Sequence, residues 1–143
     1  MDLVGVLKGW FPHARFIAED LGYLTDGVRK LLSDSGFPGM KLLQFAFGSE
    51  DGDYLPHSYG YNSICYIGTH DNPTLKQWLG LLKKKELAFA KKYCALSEEE
   101  GYDRGILRMG QLSPSMLFVA EIQDYLGLAD GCRINTPGVV EGN

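Results

Sequence analysis

Residues 63–74 read SICYIGTHDNPT, and three kinds of chain meet in them. Ser63-Ile64-Cys65-Tyr66-Ile67 is short, apolar and rich in branched and aromatic side chains, which predicts a strand over 63–67. Gly68-Thr69-His70-Asp71 is small and polar, so the backbone must leave its apolar surroundings there. Asn72-Pro73-Thr74 then begins a helix, because proline suits a first turn and a side-chain oxygen can accept from the free amides beyond it. A strand that passes to a helix through a charged loop is one half of a parallel crossover unit.

The same grammar extends in both directions. Apolar runs over 15–18, 41–47 and 116–122 read as further strands, each closed by polar or turn residues. Thr25-Asp26-Gly27 can cap a helix whose face is Val28, Leu31 and Leu32, and Ser35-Gly36-Phe37-Pro38-Gly39 stops it. Leu75, Trp78, Leu79, Leu81 and Leu82 recur at helical spacing after Thr74, and Ser97 followed by Glu98, Glu99 and Glu100 resembles another helix start. Gln123-Asp124-Tyr125-Leu126-Gly127 turns the chain away from the last strand. Residues 47–62, rich in Gly, Asp and Tyr, read as a long loop, a kind of segment that is often functional. Strands alternating with helices predict an α/β fold with a parallel sheet.

The chain has 143 residues, 45% of them hydrophobic, enough for one ordinary globular domain. That is too short for a complete (β/α)8 barrel of about 250 residues. A net charge of −4 argues against nucleic-acid binding, which needs Lys and Arg gathered on one face. The run Lys83-Lys84-Lys85 is followed at once by Glu86 and reads as a solvated helix face. Cys65, Cys94 and Cys132 are too far apart for a CxxC metal site and suit reduced thiols in a cytoplasmic protein. Residues 4–7 are too short an apolar run for a signal peptide, and no stretch has the length of a membrane span, so a soluble protein without membrane or metal partners is expected.

The acids carry the chemistry. In parallel sheets the reacting groups gather on loops at the carboxyl ends of strands. Glu19 and Asp20, in IAEDLG after the first predicted strand, hold such a position, and His70 and Asp71 hold the equivalent one after the third. A glycoside-cleaving site needs a carboxyl group protonated near neutral pH beside a second carboxylate. Asp20 and the apolar strand could raise Glu19 by like charge and desolvation. Each residue taken singly also has a plainer role. The Glu-Asp pair and Asp71 could cap helices, His70 could be a hydrogen-bonded structural histidine, and Phe45 and the cysteines could be core.

Taken in order, IAEDLG, PGMKLLQFAF, YLPHSY, GTHDNPT, QDYLGL and RINTPG resemble the 4-α-glucanotransferases called amylomaltases or disproportionating enzymes, glycoside hydrolase family 77. The resemblance runs over essentially the whole chain. It implies a partial (β/α)8 barrel of the α-amylase superfamily type, with residues 17–19 ending the fifth strand, 42–47 in the sixth, 66–71 in the seventh and 116–123 around the eighth. It assigns Glu19 as general acid/base and Asp71 as the group that distorts and stabilises the sugar at the cleavage point. His70 would bond the same sugar, and Asp20, Phe45 and Asn135 would line glucan-binding sites. The implied partners are α-1,4-glucans, and no cofactor is implied.

The sequence also departs from the family. The nucleophile belongs to a motif like RIDHFRG, which does not occur here, and the family's closing Trp-rich segment is also missing. Residues 1–143 are therefore expected to be the second part of a catalytic barrel, inactive alone. Self-association, or pairing with a separate first half, would cover its open sheet edges. Two other readings stand beside the transferase: a non-catalytic glucan-binding or interaction module, and a hydrolase of the same superfamily.

Overall fold

The computed structural model describes residues 2–48, 52–129 and 131–140. Its chain divides into two units, Met1–Met40 and Lys41–Asn143. In the first unit, helix α1 (Leu3–Trp10) starts at Asp2, whose carboxylate accepts from the Val4 amide at 3.1 Å. Helix α2 (Asp26–Ser35) starts where the sequence places it, with Thr25 Oγ1 accepting from the Val28 amide at 3.3 Å, and it ends at Gly36. Lys8 closes the far end of α2: its ammonium donates to the Ser35 carbonyl at 2.6 Å and lies 5.3 Å from the Phe37 ring centroid. A cation at these last carbonyls satisfies acceptors the helix cannot reach itself.

The strand expected over 15–18 does not form. The Ala18 amide donates to the Pro38 carbonyl at 2.9 Å, and one such bond is too few to set up a ladder. Phe16 instead packs its ring 5.1 Å from that of Phe37.

Strand β1 (Gly39–Leu42) leads into the second unit and lies beside β2 (Ser63–Tyr66), which pairs in parallel with β3 (Leu117–Val119). The register matches Ile64 with Leu117, Cys65 with Phe118 and Tyr66 with Val119. Two expected strands are cut short. After Leu42 the backbone tightens into a 3-10 turn, Leu43–Phe45, and the Gln44 amide reaches across to the Ile67 carbonyl at 3.1 Å. After Val119 the chain turns at Glu121 into a short helix, α6 (Ile122–Tyr125); counting from α3, the intervening helices are α3 (Leu75–Leu81), α4 (Lys84–Tyr93) and α5 (Tyr102–Gln111).

Ser97 caps a single turn, accepting from the Glu100 amide at 3.2 Å, and α5 begins only after Gly101. In residues 47–62 the expected absence of regular structure is broken by one 3-10 turn, Pro56–Ser58, and residues 49–51 lie outside those described. Lys83, Lys84 and Lys85 are exposed at the start of α4, as a solvated face requires.

Helices α3, α5 and α6 pack on one another, and Leu43, Ile67, Leu75, Cys65, Cys94 and Ile106 are completely buried. Burial pushes the Cys65 thiol to about 11 and the Cys94 thiol to about 12, so both are neutral fillers of this core. Strand β3 reaches the helices through Phe118, and α5 meets it with a glycine. A Cβ at Gly110 would lie 2.2 Å from a Phe118 ring carbon, so the ring lies against bare helix backbone. Among the described residues no helix is long and apolar enough to cross a membrane.

Candidate active site

The loop between β2 and α3 is shaped by its own side chains. Thr69 donates from both amide and hydroxyl to Asn72 Oδ1, at 2.9 and 2.8 Å. Gln44 Nε2 donates to the Pro73 carbonyl at 2.8 Å, and a Cβ at Gly68 would stand 2.8 Å from that nitrogen. The loop can therefore lie this close to Gln44 only with glycine at 68.

Helix α3 is capped twice. Thr74 Oγ1 accepts from the Gln77 amide at 3.4 Å, and the buried carboxylate of Asp124 accepts from the Leu75 amide at 2.7 Å. The capping role open to Asp71 is thus filled by Thr74 and Asp124. Burial raises the Asp124 carboxyl above the ordinary aspartate range, against the pull of amide donors from Leu75 and Glu121.

With the helix start satisfied elsewhere, the Asp71 carboxylate faces other partners. Its Oδ1 accepts from Asn135 Nδ2 and lies 3.4 Å from His70 Nε2. The side chains of His70 and Asp71 keep 63% and 48% of their exposure, so their pairing is solvent-screened. Main-chain contacts hold the trio: the Asn135 amide donates to the His70 carbonyl at 3.1 Å, and Arg133 Nη2 donates to the Asp71 carbonyl at 2.6 Å. Glu121, at the carboxyl end of β3, has its carboxyl raised by burial first and by Asp124 second, with His70 and Arg133 opposing.

Of the six residues singled out from sequence, His70, Asp71 and Asn135 meet in this one cluster. Phe45 stands on the 3-10 turn after β1, 39% exposed, its ring edge-on to Tyr54 with centroids 5.4 Å apart. It is not a core residue, contrary to the default reading of a phenylalanine. Glu19 and Asp20 belong to the first unit. Glu19 is exposed and caps no helix, since α2 is capped by Thr25. Asp20 is partly committed to the fold, because its Oδ1 accepts from the Met40 amide at 2.6 Å.

Sequence reasoning missed Arg133, Asp124 and Glu121. Arg133 opens the quoted string RINTPG and Asp124 lies within QDYLGL, so both were in view without a role. Glu121 carried no signal. Chemically, an exposed carboxylate with one oxygen steadied by an amide and an imidazole can accept hydroxyl protons from a polyol. Among the described residues no group of three His, Cys, Asp or Glu side chains could hold a metal ion.

Comparison with known proteins places the chain in a class. The sequence profile described as 4-alpha-glucanotransferase, glycoside hydrolase family 77, matches residues 1–143, and the chain belongs to that family. A 4-alpha-glucanotransferase of Clostridium butyricum is 41% identical over 145 residues, covering 100% of this chain and 30% of its own length. The chloroplastic/amyloplastic 4-alpha-glucanotransferase of Solanum tuberosum is 40% identical over 89% of this chain and 22% of its own. An amylomaltase from Streptococcus agalactiae, solved in complex with acarbose, superposes with a TM-score of 0.92 at 34% identity, over 99% of this chain and 29% of that one. The chain thus spans less than a third of the length of these relatives, and its α/β fold with a small parallel sheet corresponds to a part of an amylomaltase.

Proposed function

We propose that this chain carries the acid/base part of a 4-α-glucanotransferase catalytic barrel, strands five to eight of the (β/α)8 type, acting on α-1,4-glucans such as maltodextrins. The observation that carries the reading is family membership over all 143 residues. The exposed Asp71 carboxylate, held beside Asn135 and His70, supports it, because a sugar-binding acid must be both steadied and open.

In this reading Glu19 protonates the departing glycosidic oxygen while an aspartate from outside these residues attacks the anomeric carbon, giving a covalent glycosyl-enzyme. The Glu19 carboxylate then takes the proton of the incoming 4-hydroxyl, whose oxygen displaces the aspartate. A glucan acceptor gives transfer, and water gives hydrolysis. Asp71 and His70 bond the sugar at the cleavage point, while Asp20, Phe45 and Asn135 line the glucan path, Phe45 offering a ring to an apolar sugar face. Free thiols suit a cytoplasmic setting. Leu117 on β3, with Ile122 on α6 and Leu126 just past its end, is exposed apolar surface suited to pairing with the first half of the barrel or a second copy.

The test is product chromatography after incubation with maltotriose, using the chain alone and the chain mixed with a first half-barrel from a relative. Glucose plus a ladder of longer maltodextrins is expected from the mixture only. Glu19→Gln should lower that turnover at least about a hundredfold, and Asp71→Asn should lower turnover more than binding. A mixture that assembles and leaves maltotriose unchanged would sink the transferase reading, and maltotriose binding without turnover would favour the non-catalytic module.

A further inference from the structure

We propose that Arg133 is a positioning residue for Asp71, a role that rests on the reading of Asp71 as a sugar-binding acid. The loop carrying His70 and Asp71 and the segment carrying Asn135 are more than 60 positions apart in sequence, and Arg133 is fixed to both. Its Nη2 donates to the Asp71 carbonyl at 2.6 Å and its Nε to the Asn135 carbonyl at 3.0 Å. Asn135 completes the circuit, giving its amide to the His70 carbonyl at 3.1 Å and its Nδ2 to the Asp71 carboxylate.

The choice of acceptors matters. Arg133 grips the main chain of Asp71 and leaves the carboxylate's lone pairs to Asn135, His70 and a ligand. A guanidinium can hold two carbonyls at once because its donors sit in a rigid planar fork, whereas a lysine ammonium at the end of a flexible stem reaches one at a time. Hydrogen bonds from a charged donor are also the stronger kind. The fork therefore sets where the carboxylate points, with no contact to the sugar itself. His70 and Arg133 both act on the Glu121 carboxyl at this end of β3, opposing the rise that burial causes there.

Arg133→Ala and Arg133→Lys test this with two readouts. In the isolated chain, Arg133→Ala should speed hydrogen exchange of the Asn135 amide at least about tenfold, the effect of one charged hydrogen bond lost, while the Ile67 amide, bonded to the Val119 carbonyl at 3.2 Å, keeps its rate. In the maltotriose-active assembly, Arg133→Ala should lower kcat about tenfold with KM changed less than about threefold, and Arg133→Lys should fall between. Unaltered exchange at Asn135 overturns the proposal, as does faster exchange with unaltered kcat. If Arg133→Ala also speeds Ile67, the variant has lost its fold and Arg133→Lys decides by the same two criteria. Should no assembly turn over at all, the functional reading has failed, and the exchange experiment still decides the grip itself.

Discussion

The two units use similar helices differently. In the first, Leu31 on the apolar face of α2 is 58% exposed and Tyr23 just before it is 93% exposed, while in the second Leu75 on α3 and Ile106 on α5 are fully buried. Both α2 and α3 begin with a threonine that accepts an amide three residues on. What separates them is what covers the apolar face. Local capping is enough to start either helix, but α3 and α5 are also held by mutual packing and by the sheet, whereas α2 is held mainly by its ends. A cap and a period announce a helix; burial of its face depends on residues far away in sequence.

The sharpest way to break this contrast is to remove equivalent methyl groups from each unit. Ile106→Ala should cost about 3 kcal/mol in urea unfolding followed by far-UV circular dichroism, which reports the helices of both units, whereas Leu31→Ala should change it by less than about 0.5 kcal/mol. Equal losses would mean that α2 buries its face in solution. A smaller effect is expected at Asp124, where Ala leaves the buried Leu75 amide without its acceptor and should cost about 2 kcal/mol.

The pH dependence at Asp124 follows from the direction of its shift. Its carboxyl is raised in the folded state, so the folded form binds the proton more readily than the unfolded chain. The associated stability is present below the unfolded value near 3.9 and is lost as pH rises through the folded value. Stability of the wild type relative to Asp124→Asn should therefore decline from about pH 3 toward neutrality, and a difference that grows over this range would contradict the burial. Below the loss at Asp124, Thr25→Ala should weaken α2 by about 1 kcal/mol. Hydrogen exchange should show that loss in residues 26–35, with the amides of Ile67 and Trp78 unmoved; a spread to those amides would mean the units unfold together.

How far the sequence could be read follows the same division. Strand β2, helix α2 and the start of α3 were legible because their signals are local: an apolar run, a capping threonine, a proline. The strand over 15–18 was not, since strand formation requires a ladder partner and one amide bond to Pro38 does not supply it. The stretch 116–122 looked like a strand throughout because Ile122 is apolar, yet the chain turns at Glu121, where the Asp124 carboxylate reaches back to the Glu121 main chain, and a helix takes over its end. At the candidate site the carboxylate and its neighbours stood out as types in a motif. The arginine that grips their backbone did not, because a contact to a carbonyl leaves no mark on residue choice at the accepting position.

The bare stretch of α5 under Phe118 has a consequence for descent. Glycine inside a helix costs about 1 kcal/mol relative to alanine, a penalty that selection would remove unless the Phe118 ring needed the space. Positions 110 and 118 should then drift as a linked pair: relatives that carry alanine at the first should carry a smaller side chain at the second. Crossing between the two states one substitution at a time passes through either a clash or a void, so the pair should mark deep branches of the family rather than vary freely among close relatives.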